Sequence, residues 1–144
     1  MQNHYNLLYR EEEREMIPLC QDMDVGVIPW SPLARGLLTG SRTRGGERHT
    51  SRAHNDVFAD ELYDESDFDV VEAVTMLAAE RCLPPAQIAL AWLLHKSAVT
   101  APIVGVTKAE HLDDATAALD VTLSDAEVRR LEESYRAHEV RGFG

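Results

Sequence analysis

The sequence predicts an α/β fold built on a parallel sheet, and three observations carry that prediction. Two compact apolar runs, residues 25–30 and 99–104, read as buried parallel strands. Stretches with helical spacing of apolar residues lie between and after them. Two S/T-x-x-E patterns, Thr107 with Glu110 and Ser124 with Glu127, open the last helices. Strands alternating with helices in this way belong to parallel sheets.

The opening residues 2–9 mix polar and apolar side chains and read as a strand end running into a loop. Residues 10–23 read as a helix whose first turn carries Glu11, Glu12 and Glu13, a solvated acidic start suited to the helix dipole. Pro18 is expected to kink it or mark a second start. The run Val25-Gly26-Val27-Ile28-Pro29-Trp30 follows Asp24 as the first strand. Residues 41–60, rich in Arg, Gly, Ser, Thr and His, read as a long loop, of a length that is usually functional or disordered. A helix over 67–82 is marked by Val70, Val74, Leu77 and Ala78, with Ser66 as its N-cap. Pro84-Pro85 breaks the chain and starts the next helix, through Ile88, Ala91 and Trp92 to His95. A short strand at 99–104 is interrupted by Pro102. Helices over 107–119 and 124–136 close the chain. About three strands are expected, few for a parallel sheet covered on both faces.

The chain has 144 residues, enough for one domain with a real core. Its formal net charge of -11 would repel a duplex phosphate backbone, which argues against nucleic acid as a partner. No apolar run approaches the ~20 residues of a membrane helix, and the first ten residues lack the pattern of a signal peptide. No membrane partner and a cytoplasmic location are the resulting expectations. Cys20 and Cys82 have neither metal-ligand spacing nor a disulfide framework, and read as reduced, mostly buried thiols. His49, His54, His95 and His138 show no mutual spacing suited to a metal.

Three segments together resemble the aldo-keto reductase family. The first is Gln2-Asn3-His4-Tyr5-Asn6-Leu7-Leu8-Tyr9-Arg10-Glu11. The second is Gly26-Val27-Ile28-Pro29-Trp30-Ser31-Pro32-Leu33-Ala34-Arg35-Gly36-Leu37-Leu38-Thr39-Gly40, the most specific of the three. The third is Pro102-Ile103-Val104-Gly105-Val106-Thr107-Lys108-Ala109-Glu110-His111-Leu112. In order, they resemble the ends of the sixth, seventh and eighth strands of a (β/α)8 TIM barrel with the loops that follow. The resemblance is collinear, covers nearly all of residues 1–144, and points to the bacterial and potassium-channel β-subunit-like branch. It implies a partial barrel, about the last three βα units plus a C-terminal helix.

The resemblance also implies a cofactor, NADP(H), and roles for particular residues. Gln2 matches an amide that bonds the nicotinamide carboxamide, and Trp30 the aromatic that stacks on the nicotinamide ring. Ser31, Pro32, Leu33, Arg35 and Gly36 match the loop that wraps the pyrophosphate, with Arg35 supplying a planar cationic fork. Gly105, Thr107 and Lys108 match a phosphate site at a helix N-terminus, where Lys108 suits a 2'-phosphate. His111 falls where relatives carry Arg or Gln near that phosphate; Asp114 keeps an acid near the adenosine, while Ala115 replaces an Asn. His4 is read as structural.

A complete relative reduces aldehydes or ketones to alcohols, so the implied partner is a small-molecule carbonyl substrate. The family's Asp, Tyr, Lys and His come from the first four strands, and Tyr5, Tyr9, Tyr63 and Tyr135 do not match the tyrosine's motif. No catalytic residue is therefore assigned, and the isolated chain is expected to be inactive. Met1 matches an ordinary internal position. Three readings stay open: a fragment of a full enzyme, a half-barrel completed by a partner chain, and a non-catalytic nucleotide-binding or interaction module. Open sheet edges favour self-association.

Overall fold

The computed structural model describes residues 1–42, 44–45 and 62–139. Five α-helices lie among them: α1 (Met16–Asp22), α2 (Phe68–Arg81), α3 (Pro85–His95), α4 (Ala109–Ala117) and α5 (Asp125–Glu132). Four 3-10 turns, Glu11–Glu13, Ala34–Thr39, Glu65–Asp67 and Ala118–Asp120, complete the regular structure. The long loop expected over 41–60 falls mostly outside the described residues, as do His49 and His54.

Helix α3 is the centre of the molecule. Residues 87–93 are buried on every side of it, and a helix that is apolar all round belongs in a core. It packs against α2, whose Val70, Val71, Val74, Leu77 and Ala78 form a single buried stripe, and against α4 and the turn at Ala34–Thr39. Leu7, Leu8, Leu37, Leu38, Leu123 and Leu131 close the same cluster from the first segment, the loop, the approach to α5 and α5 itself. Pro84 and Pro85 start α3 as the sequence indicates, because proline is pre-set for the first helical turn and gives up no needed donor there. Trp92, fully buried, satisfies its Nε1–H by donating to Glu132 Oε1 at 2.8 Å.

The expected strands are much reduced. Among the described residues only isolated bridges form: His4 with Trp30 and Val27 with Val99, both parallel, and Asn6 with Tyr9, antiparallel. The segments nevertheless lie side by side and run the same way. Ile28 N donates to Met1 O at 2.8 Å and Trp30 N to Asn3 O at 2.9 Å. On the other side Val27 N donates to Ala98 O at 3.2 Å, Thr100 N to Val27 O at 2.8 Å and Ile103 N to Pro29 O at 2.8 Å. Pro29, Pro32 and Pro102 have no N–H to give, so a continuous ladder is interrupted at the points where it would otherwise lengthen.

Several local expectations need correction. The helix over 10–23 divides into a 3-10 turn and α1, with Pro18 in the first turn of the second piece. Glu11 is not solvated; it is buried and accepts from Tyr135 Oη at 2.7 Å, from the His138 N–H at 2.8 Å and from Arg14 at 2.8 Å. Ser66 is not the cap of α2: the Glu65–Asp67 turn precedes the helix, and Asp67 Oδ2 accepts from Asp64 N at 2.7 Å. The Thr107 capping box does not form, since Lys108 is the N-cap residue of α4 and makes no side-chain cap bond. The Ser124–Glu127 box does form and opens α5. Cys20 is buried, but Cys82 is exposed, as the left-handed C-cap of α2. His138 is buried, with Nε2 2.9 Å from Asp67 Oδ1, which agrees with a structural role for it.

Candidate functional site

The two rows of parallel hydrogen bonds bring three chain segments out at the same end. Residue 30 leaves beside His4, and residue 103 leaves beside Pro29. The loop after Trp30 is where the backbone is most unusual. Ser31, Ala34 and Arg35 have φ of 54°, 47° and 54°, and Gly36 has 100°. Left-handed backbone costs a non-glycine residue about 1–2 kcal/mol, so three such residues within five positions have to be held by their surroundings.

The holders can be named. Asn6 Nδ2 donates to Ser31 O at 2.9 Å, and Ala34 N to Ser31 O at 3.0 Å. Gly36 O accepts from both Thr39 Oγ1 and Ser41 Oγ at 2.7 Å. At Gly36 a Cβ would meet Ser41 Oγ at 3.0 Å, on a backbone that L residues avoid. Buried Ala34, Leu37 and Leu38 tether the loop to the core. Backbone strain of this kind is concentrated at sites that bind or react.

Trp30 is half-buried, with one face covered by another ring. His4 stacks on it with centroids 4.2 Å apart and planes 14° apart, and Tyr9 stacks on the far side of His4 at 4.3 Å and 13°. The imidazole is fixed at its edge as well: Nε2 lies 2.9 Å from Tyr63 Oη and 3.2 Å from Asn6 Nδ2. Asn6 Nδ2 also donates to Tyr63 Oη at 3.1 Å. His4 Nδ1 is buried without a hydrogen-bond partner. Burial, reinforced by the charge of His138, pushes His4 down to about 4, so the ring is neutral at neutral pH. Burial also raises the Tyr63 hydroxyl above its ordinary range, against the bonds from Asn6 and Ser31.

The remaining candidates differ in exposure. Gln2 is exposed; Pro32 is buried; Leu33, Arg35 and Gly36 are partly exposed. Gly105, Thr107, Lys108 and His111 are all exposed along the approach to α4 and its first turns. A Cβ at Gly105 would meet nothing within 4 Å. Because Lys108 makes no side-chain cap bond, no side chain of the N-cap occupies the first N–H groups of α4. Asp114 is half-buried and accepts from Gln87 Nε2 at 3.0 Å, a bond that ties it to α3. An open groove of about 630 Å3 lies elsewhere, between Glu80, Leu83, Gln87, Ala117 and Val121, and none of the candidate residues lines it. Among the described residues no cluster of His, Cys, Asp and Glu could hold a metal, and no helix is long and apolar enough to cross a membrane.

Residues 1–136 match the family model described as the aldo/keto reductase family. The chain belongs to that family. It is 46% identical over 143 residues to a Schizosaccharomyces pombe protein whose name assigns it to the aryl-alcohol dehydrogenases, covering 99% of this chain and 40% of that protein. It is 43% identical over 143 residues to the aldo-keto reductase AMT2 of Alternaria alternata, covering 99% of this chain and 38% of the relative. It is 42% identical over 137 residues to the versiconal hemiacetal acetate reductase of Aspergillus parasiticus, covering 94% and 39%. The chain thus spans about two fifths of the length of these curated relatives.

Sequence reasoning singled out Trp30 and its loop but not the rings behind it. Reading His4 as structural agrees with its burial, yet nothing local in the sequence pairs residue 4 with residues 9, 30 and 63. The contacts join positions far apart in the chain, and only the fold supplies them. A hint was present in the density of aromatic and amide side chains at His4, Tyr5, Asn6 and Tyr9.

Proposed function

We propose that this chain forms the cofactor-holding part of an NADP(H)-dependent reductase of aldehydes or ketones, corresponding to about the last three βα units of a (β/α)8 barrel. The observation that carries the reading is the parallel run of residues 1–4, 26–30 and 98–103, with the strained loop 31–36 leaving from its end. In a βα barrel, ligands are held by loops at the C-terminal ends of the strands. The sequence of residues 26–40 also resembles the cofactor loop of the bacterial and potassium-channel β-subunit-like branch.

The residues present fit a reduced nicotinamide dinucleotide. Trp30 offers an aromatic face whose back is already braced, and Gln2 offers an exposed amide at the neighbouring strand end. Gly36 permits close backbone approach, and Arg35 provides a planar cation for a diphosphate. Lys108, at the N-terminus of α4 with the helix dipole behind it, suits a phosphate on the adenosine ribose and favours NADP(H) over NAD(H). When bound, the cofactor supplies hydride to a carbonyl carbon. The residues of this chain orient the ring and neutralise the phosphates. None of its tyrosines matches the family's proton donor, so these 144 residues alone are expected to bind without turnover.

Titration with NADPH, followed by energy transfer from tryptophan to the reduced nicotinamide, tests the reading. Saturable binding, weakened by Arg35→Ala, is expected. No binding would sink it, and aldehyde reduction by the purified chain would overturn the account of the missing acid.

A further inference from the structure

His4 is a buried ring that the reading above does not use. It is 4% exposed, and among the described residues it belongs to no metal cluster and its Nδ1 has no hydrogen-bond partner. Leaving a polar atom unsatisfied in the interior costs free energy, so a histidine in this place needs a compensating interaction. Its geometry supplies one. The imidazole lies nearly parallel to Trp30 on one side and to Tyr9 on the other, at 4.2 Å and 4.3 Å. Tyr63 makes an edge contact at 5.9 Å and 70°, while Tyr63 Oη and Asn6 Nδ2 fix the ring at Nε2. His4 therefore cannot slide or rotate without breaking two stacks and two hydrogen bonds. Trp30 stands at the outer end of this column and is the only one of its three stacked rings that is not fully covered.

We infer that His4 is a positioning residue: wedged between Tyr9 and Trp30, it sets the plane of the Trp30 indole and thereby how tightly that indole holds a nicotinamide ring. The inference rests on the cofactor reading above. A flat platform gains its full stacking attraction only when its plane is held, because an indole free to rotate loses part of the contact and has to be ordered on binding. A planar, uncharged wedge meets this need. An aliphatic side chain of similar volume would fill the space and leave the indole without an opposing flat face.

Three proteins decide the matter: the wild type, His4→Leu and His4→Phe, each also made with Trp92→Phe so that Trp30 is the sole tryptophan. The first readout needs no cofactor. The near-ultraviolet circular dichroism of Trp30 is expected to collapse in His4→Leu and to persist in His4→Phe, with all three proteins melting cooperatively. The second is NADPH affinity by energy transfer: about tenfold weaker in His4→Leu and within about threefold of wild type in His4→Phe. Equal Trp30 dichroism and equal affinity in His4→Leu would overturn the inference, as would failure of His4→Phe to restore either. If the wild type does not bind NADPH, the cofactor reading fails and takes the affinity claim with it. A dichroism loss in His4→Leu that His4→Phe restores would then still establish the wedge. Should His4→Leu fail to fold, Tyr9→Leu removes the far stack instead, and unchanged Trp30 dichroism there would count against the column.

Discussion

His138 holds Nε2 2.9 Å from Asp67 Oδ1 while its backbone N–H donates to Glu11 at 2.8 Å. One residue near the described C-terminal end thereby fastens the approach to α2 and the first segment together. Asp67 is 2% exposed and Glu11 7%, so neither bond is readily replaced by water. Tyr135 adds a second tie, donating to Glu11 at 2.7 Å and accepting from Arg10 N at 3.1 Å.

Removing one partner of such a buried pair leaves the other unsatisfied, and Asp67→Ala is expected to cost about 1–3 kcal/mol. Urea unfolding of Asp67→Ala, His138→Ala and the double variant measures it. The two single losses should sum to clearly more than the loss in the double variant, because the contact can be lost only once. Simple additivity would show that the two side chains do not depend on each other.

The pH dependence follows from three groups with lowered values. Burial would raise Glu11, but bonds from Tyr135, His138 N–H and Arg14 outweigh it and bring it below the usual carboxylate range. Burial would likewise raise Glu132, and Lys96, Trp92 and Arg10 bring it down. A carboxyl lowered in the folded state contributes stability above its unfolded value and loses it as pH falls through the folded one. His4 acts in the same direction by another route: it falls from 6.5 to about 4 on burial, which corresponds to about 3 kcal/mol against folding once the unfolded imidazole is protonated. Stability should therefore decline in two stages as pH falls, the first between 6.5 and about 4 from His4, the second below about 4.5 from the carboxylates. In His4→Phe the first stage should disappear, and in Glu11→Gln the second should flatten. Thermal melts from pH 7.5 to 3.5 record both, and a single stage unaffected by His4→Phe would contradict the first assignment.

The helical half of the fold was legible because its signals are local. Pro84-Pro85 starts α3, Ser124 and Glu127 cap α5, and the spacing of Val70, Val74, Leu77 and Ala78 marks the buried stripe of α2. The strands expected at 25–30 and 99–104 do not form among the described residues, where only isolated bridges such as His4 with Trp30 and Val27 with Val99 appear; Pro29 and Pro102 remove donors that a periodic apolar run does not reveal. At the site, Trp30 and its loop could be singled out by resemblance, whereas the His4 column and the Glu11 anchor depend on contacts across 26 and 127 positions. The Lys108 cap shows the opposite failure: the four-residue pattern was present, yet Thr107 does not cap α4.

The two cysteines should be separable by reactivity. Cys20 is buried and Cys82 is exposed at the end of α2, with φ of 53° and its N–H directed back to Ala78 and Ala79 carbonyls. One thiol should react with a disulfide reagent in the native protein and two after denaturation. Glycine fits the left-handed cap without steric cost, so Cys82→Gly is expected to stabilise by about 1 kcal/mol or less. It should also abolish the fast labelling. A destabilised Cys82→Gly would mean that the side chain makes an interaction worth more than the strain.

Lys108 offers the sharpest test of which dinucleotide the site prefers. It is exposed at the N-terminus of α4, next to Thr107 and three positions before His111, in a chain whose net charge is -11. A phosphate approaching such a chain meets general repulsion, so affinity for it has to come from local cations and the helix end. Lys108→Met keeps the length of the side chain and removes only the charge. NADPH affinity should fall about tenfold, while NADH affinity stays within about twofold. Raising the salt concentration should weaken NADPH in the wild type more than in Lys108→Met, because screening acts on the charge that the variant lacks. Parallel titrations with the two cofactors measure the ratio directly. An equal loss for both would mean that Lys108 shapes the loop rather than meeting the extra phosphate, and the preference for NADP(H) would then have to rest on His111.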